Sequence, residues 1–132
     1  MLINYFENQL LEIFFMQSIS MVLPILAGKT EAVKSIFKTI KDEKWKDYQR
    51  VQKNAGVEKE RDFLQITPMG DMLLLYIESK DIQKTFMTFS SSKDPFDLWF
   101  VEEMKKNTGV DFSQPMSGPL PELLISYDKS IL

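Results

Sequence analysis

The sequence predicts a single α+β domain of ferredoxin-like β-α-β-β-α(-β) order, with its strands in one antiparallel sheet. Three observations carry the prediction. Short β-rich runs at 18–27, 57–67 and 71–79 are bounded by Gly and Pro. A long stretch with apolar residues at steps of three and four separates the first run from the second. A second helical stretch follows the third run, opened by Asp-Pro and closed by Asn-Thr-Gly.

Residues 1–17 read as an extension and residues 18–132 as the domain. Within the extension, Leu2, Tyr5, Phe6, Gln9, Leu10, Ile13 and Phe14 have helical spacing and suggest a short docking helix. Residues 1–28 hold no Lys or Arg, and Gln17, Ser18, Ser20 and Pro24 interrupt the apolar run that starts at Ile13. That pattern suits neither a signal peptide nor a membrane-spanning helix, so the expected location is cytoplasmic.

The first strand runs from Ser18 to Ala27 and stops at Gly28; Pro24 cannot donate to a ladder, which implies an irregular or unpaired edge. Thr30 is placed to cap one long helix carrying Val33, Ile36, Phe37, Ile40, Lys44, Tyr48 and Val51 on its inward stripe. Asn54-Ala55-Gly56 ends it. Two strands follow, Val57–Thr67 and Asp71–Ser79, joined by a turn at Pro68–Asp71. Met72–Ile77 is apolar at every position, which predicts cover on both faces. Asp81 opens a short helix with Ile82, Phe86 and Phe89 inward, broken by Ser90–Ser92. Asp94 then caps a further helix with Pro95 at its first position, Asp97 favourable in its first turn and a stripe of Phe96, Trp99, Phe100, Glu103 and Met104. In the Pro- and Gly-rich tail, Leu123–Tyr127 reads as either a fourth strand or a helical turn.

Composition narrows the chemistry. Among 132 residues there is no Cys and no His, which removes disulfides, thiolate or imidazole metal ligands, and His-based acid–base catalysis. No cofactor and no metal is expected. Net charge is −3, with Lys/Arg exceeding Asp/Glu by four over 29–53 and the reverse over 94–132. This reads as one basic helix surface and one acidic C-terminal surface, with no reason to expect nucleic acid or membrane as partner. Gly28-Lys29-Thr30 matches only the end of a phosphate-binding loop, since Leu23 stands where the upstream glycine belongs.

The string Pro24-Ile25-Leu26-Ala27-Gly28-Lys29-Thr30, then Phe63-Leu64-Gln65, then Asp94-Pro95-Phe96-Asp97-Leu98-Trp99-Phe100 and Gly109-Val110-Asp111, resembles a family of small, uncharacterised bacterial proteins. That family is related in fold to the dimeric α+β barrels that include the antibiotic-biosynthesis monooxygenases. The resemblance covers roughly residues 20–125, with Pro-Phe-Asp-x-Trp-Phe its most distinctive piece. It implies a dimeric α+β barrel, a homodimer with two sheets packed face to face. It says little about activity, because the wider superfamily includes cofactor-independent monooxygenases, isomerases and proteins without known chemistry. Its haem-binding branch uses a histidine, which this chain lacks.

A four-residue hairpin loop would set Gln65 opposite Leu74, Phe63 opposite Tyr76 and Arg61 opposite Glu78. One face then holds Leu64, Ile66, Leu73, Leu75 and Ile77 beneath the helices; the other holds Arg61, Phe63, Gln65, Thr67, Met72, Tyr76 and Glu78. The second face is the candidate site. Read functionally, it lines a pocket for a small hydrophobic molecule, where Arg61 holds an anion, Gln65 orients the ligand and Tyr76 or Glu78 moves a proton, with Trp99 at the mouth. Read structurally, Arg61 and Glu78 are a cross-strand pair at the open end of the hairpin, Tyr76 and Gln65 are satisfied across a dimer interface, and Trp99 is core. Glu60 and Asp62 alternate with Arg61 and are expected at the helices' edge or in solvent. Two functions are therefore expected: a homodimer binding a small hydrophobic molecule, with or without cofactor-independent chemistry, or a non-enzymatic interaction protein that assembles through its N-terminal appendage or sheet face.

Overall fold

The computed structural model describes residues 16–115 and 118–130. The suggested helix in the N-terminal extension lies outside them. Strand β1, Gln17–Pro24, alternates cleanly: Ile19, Met21 and Leu23 are buried, while Ser18, Ser20, Val22 and Pro24 face outward. Helix α1, Thr30–Glu43, buries Val33, Ile36 and Ile40 at the predicted spacing. Thr30 is not its cap. No side chain caps this helix, and the Thr30 hydroxyl instead donates to Asp71 Oδ2 at 2.5 Å, tying the helix start to a distant loop.

The single long helix of the sequence reading is two helices. The chain breaks at Lys44, with φ −122°, and α2 runs from Trp45 to Asn54. A straight helix would carry the Lys44 ammonium along the inward stripe, where its desolvation is costly. The break releases it to lie 5.0 Å from the Trp99 ring centroid, a cation–π contact. Gly56, at φ +75°, then reverses the chain in a conformation that side chains disfavour.

Strands β2, Val57–Gln65, and β3, Met72–Ser79, form a hairpin, and the sheet order is β1-β3-β2 with β3 antiparallel to both neighbours. The connection is longer than the predicted turn. Gly70 N–H donates to Thr67 O at 3.1 Å and Thr67 Oγ1 to Gly70 O at 2.6 Å, so residues 66–71 close a local loop. Gln65 consequently faces Met72, Phe63 faces Leu74 and Arg61 faces Tyr76, a slip of two residues from the expected register. A slip of two preserves every side chain's face. Ile66, expected beneath the helices, sits in the loop and is 68% exposed.

Helix α3, Ile82–Ser90, starts at Asp81, whose carboxylate accepts from Lys84 N–H at 3.0 Å. Helix α4, Pro95–Thr108, starts at Asp94, which accepts from Phe96 N–H at 2.9 Å, and ends at Gly109 in the left-handed region. Residues 121–130 hold no regular structure; Leu123, Leu124, Ile125 and Tyr127 are exposed, so neither the fourth strand nor the helical turn forms there.

The architecture of the described residues is thus α+β: four helices against an open three-stranded antiparallel sheet. The core forms where Ile19, Met21 and Leu23 of β1 and Leu73, Leu75 and Ile77 of β3 meet Val33, Ile36, Ile40, Val51, Phe96 and Met104 of the helices. Among the described residues, β3 is covered on this face alone. On the other, Met72, Leu74, Tyr76 and Glu78 are only half-buried. No helix among the described residues is long and apolar enough to cross a membrane.

Candidate functional site

The structure brings four of the five predicted site residues onto one surface, and that surface is an open sheet face. Tyr76 donates to Glu78 Oε1 at 2.9 Å, and Lys59 rather than Arg61 pairs with Glu78, at 3.4 Å. Arg61 is exposed across from Tyr76. Gln65 is spent locally, its Nε2 donating to Ile66 O at 3.1 Å. Burial, followed by the Glu78 carboxylate, pushes the Tyr76 phenol upward. Exposed Val22 and Phe63 flank Leu74 beside them. Trp99, the fifth, is elsewhere: half-buried on α4, it packs against Phe96 at 5.6 Å beneath Lys44 and does not reach a cavity wall.

The enclosed chemistry lies on the opposite side of the sheet. Beyond the register shift between Val57 and Lys59, residues of even number in β2 point under the helices, so Glu60 and Asp62 share the buried face with Leu64. Both carboxylates, expected at the edge or in solvent, line a cavity of about 80 Å³ between helices and sheet. Aromatic rings form much of its wall. Phe96 and Phe100 stack with centroids 6.3 Å apart, Phe37 and Phe89 meet Phe100 edge-on at 6.5 and 6.1 Å, and Phe112 meets Phe89 at 6.1 Å. Met21, Ile40, Val51, Leu75 and Ile77 complete the apolar lining.

Helix α2 supplies the polar end. Tyr48 and Gln52, one turn apart, share a face. Gln52 Nε2 donates both to Glu60 Oε2 and, at 3.0 Å, to Tyr48 Oη; the Tyr48 hydroxyl lies 3.5 Å from the same carboxylate oxygen. Arg50, on the outer side of α2, clamps Asp94 through two bonds of 3.0 and 2.9 Å and Asp47 through one of 2.7 Å. This clamp fixes α2 to the start of α4, where Asp97 turns inward and lines the cavity at only 5% exposure.

Burial dominates the electrostatics. It pushes Asp62 up to about 8, with the Glu60 charge and a hydrogen bond to Glu60 adding to the shift. Glu60 is raised too, chiefly by burial, against the hydrogen bonds of Gln52, Asp62 and Tyr48 that favour its anion. The pair therefore shares a proton at neutral pH, as two close carboxylates in a dry site must. Asp97 is raised by burial, with Ser92 hydrogen-bonding to oppose it. Two buried oxygens, Asp62 Oδ1 and Asp97 Oδ1, have no hydrogen-bond partner among the described residues. Buried polar atoms are rarely left so, because each orphan costs about 1–3 kcal/mol.

A second hollow adjoins the cavity. Phe37 and Asp62 also line a groove of about 480 Å³ between α1 and the β2 edge, bordered by Lys34, Lys38, Lys41 and Asp42. The signal that places the acidic pair is present in the sequence: Glu60 and Asp62 share parity with Leu64, whereas Arg61 and Phe63 share parity with Gln65. Among the described residues, no cluster of acidic side chains is arranged to hold a metal ion. No protein-family model, curated protein or solved structure matches the chain.

Proposed function

We propose that the protein binds a small, largely apolar molecule in the cavity between its helices and sheet. The observation that carries this reading is an aromatic-walled space into which buried carboxylates project without a full set of partners. Apolar pockets with a few convergent polar groups and perturbed carboxylates are where ligands are usually held. An apolar cavity of roughly 150 Å³ is enough for benzene. Here the ligand is smaller, or extends past Phe37 and Asp62 into the outer groove.

We further propose that the open sheet face pairs with a second copy of the chain, as in a dimeric α+β barrel of ferredoxin-like topology. The order β1-β3-β2, with β1 and β2 parallel about β3, supports that arrangement. So does the face itself, which offers Val22, Phe63 and Leu74 together with charges of both signs, Arg61, Lys59 and Glu78, as a two-fold contact requires.

Nuclear magnetic resonance with a set of small apolar fragments tests the binding site. The expected result is ligand-induced shifts at Phe89, Phe96 and Phe100, with Val22 and Phe63 unmoved. Shifts confined to Val22 and Phe63, or none anywhere, overturn the cavity assignment. Light scattering tests the dimer: Phe63→Glu should convert a dimer of the native chain to monomer, and a native monomer refutes the pairing.

A further inference from the structure

The cavity is rich in acceptors and poor in donors. Glu60, Asp62 and Asp97 line it, and no Lys or Arg does. The chain has no histidine to supply a cation in their place. The donors that line it are already committed, Tyr48 and Gln52 to Glu60 Oε2 and the Thr85 hydroxyl to Ala55 O. Asp62 Oδ1 and Asp97 Oδ1 receive nothing from the described residues, and Asp97 is 95% buried. A ligand ending in a carboxylate would add a further negative charge beside three carboxyl groups, and one ending in a carbonyl would meet a single donor, the proton that Glu60 and Asp62 share. A ligand ending in an ammonium brings three donors and a positive charge.

The walls favour the same chemistry. Tyr48, Phe96 and Phe100 stand in sequence, with neighbouring centroids 6.1 and 6.3 Å apart, next to the acidic end. Ring faces carry negative quadrupole potential, and rings beside carboxylates are the usual surroundings of an organic cation. We infer that the ligand of this cavity is a small protonated monoamine, with its ammonium held by Glu60 and Asp62 and its carbon chain among the phenylalanines. This rests on the cavity reading above and names its ligand class.

The exchange balances without covalent chemistry. The amine enters already protonated, the proton shared by Glu60 and Asp62 leaves for solvent, and one cation replaces another. Groove residues Lys34, Lys38 and Lys41 face Asp62 from the outside. Lys34 and Lys38 are paired with Glu31 and Asp42, at 3.7 and 2.6 Å. Lys41 is left to oppose a second ammonium in the groove, which favours a monoamine over a diamine.

Calorimetric titration of the full chain with butylamine, butanol, butyrate and butane-1,4-diamine tests the inference. At pH 7 butylamine should bind about tenfold or more tighter than butanol, the margin of a charge-assisted over a neutral hydrogen bond. Butyrate and the diamine should bind more weakly still, and titrations in two buffers of different ionisation enthalpy should show proton release with butylamine. Asp62→Asn should abolish the preference for butylamine over butanol; Glu60→Gln is the second variant, read the same way. Equal binding of butanol and butylamine overturns the amine assignment and leaves the cavity reading intact. So does failure of all four probes where apolar fragments still shift the cavity phenylalanines. Failure of those fragments as well removes the cavity reading itself. Butylamine affinity unchanged in both variants also overturns the inference, by placing the amine elsewhere.

Discussion

Replacing Asp62 by Asn should flatten the dependence of stability on pH. Asp62 titrates near 8 in the folded chain against an ordinary value of 3.8, so the folded state holds its proton more tightly than the unfolded state. Between those values unfolding releases that proton, and stability falls as pH rises. The stabilisation is fully present below the ordinary aspartate value and gone above about 8. One proton is worth about 1.4 kcal/mol per pH unit, so the proton held by the Asp62–Glu60 pair accounts for roughly 2–3 kcal/mol between pH 5 and 7. For a domain of this size that is a fall in Tm of roughly 10 °C. The opposing groups are silent in this window. Asp42, Asp94, Asp111 and Asp128 are lowered, so their contribution is lost only as pH falls through and below the ordinary carboxylate range. Lys38 and Tyr48 are raised from values of 10 or more, and titrate above it. Urea unfolding at pH 5, 6, 7 and 8 and constant ionic strength is the assay. The variant should gain on the native chain at each step upward, leaving only the slope that Glu60 and Asp97 retain. Parallel curves for the two proteins would refute the buried, proton-sharing pair.

Three further substitutions test the packing around the site. Thr85→Val removes a hydroxyl that donates to Ala55 O at 2.6 Å and accepts from the Ser79 hydroxyl at 2.9 Å, and should cost about 1–3 kcal/mol in urea unfolding. Met104→Ala empties a side chain with no exposure and should cost about 2–5 kcal/mol by the same assay. Gly109→Ala should lower stability by about 1–2 kcal/mol through backbone strain at φ +75°. Its added Cβ would meet Leu26 at an ordinary 3.8 Å, so no clash contributes, and Gly109→Asn should recover part of the loss.

Apolar periodicity made most of the fold legible. Val33, Ile36 and Ile40 on one helix, and Ile19, Met21 and Leu23 on one strand, are spaced as their buried faces require. The caps Asp81 and Asp94 and the terminator Gly109 were equally readable, because each acts within its own turn. What escaped depends on contacts distant in sequence. At the break Lys44 meets Trp99, and at the helix start Thr30 meets Asp71, partners from elements remote in the sequence. The hairpin register turned on the side chain of Thr67, which closes the loop earlier than Pro68 suggests. The site was misjudged for a related reason. Residue type sent Glu60 and Asp62 outward, yet strand parity with Leu64 is the stronger constraint, and Tyr48 and Gln52 come from another helix to meet them.

The two neighbours of β3 reach it by very different routes. β2 joins through the local loop at 66–71, whereas β1 pairs Gln17 with Ser79 from the far end of the domain. A hairpin closes in microseconds, while the long closure must first lose the chain entropy of everything between. The β2–β3 hairpin and the helices packed on it are therefore expected in the folding nucleus, with β1 docking late and low φ-values at Ile19 and Met21. Met21 is one wall of the cavity, so the cavity is completed only after the rate-limiting barrier is crossed. A molecule bound there should slow unfolding and leave the folding rate unchanged, and a chevron plot measured with and without it separates the two limbs.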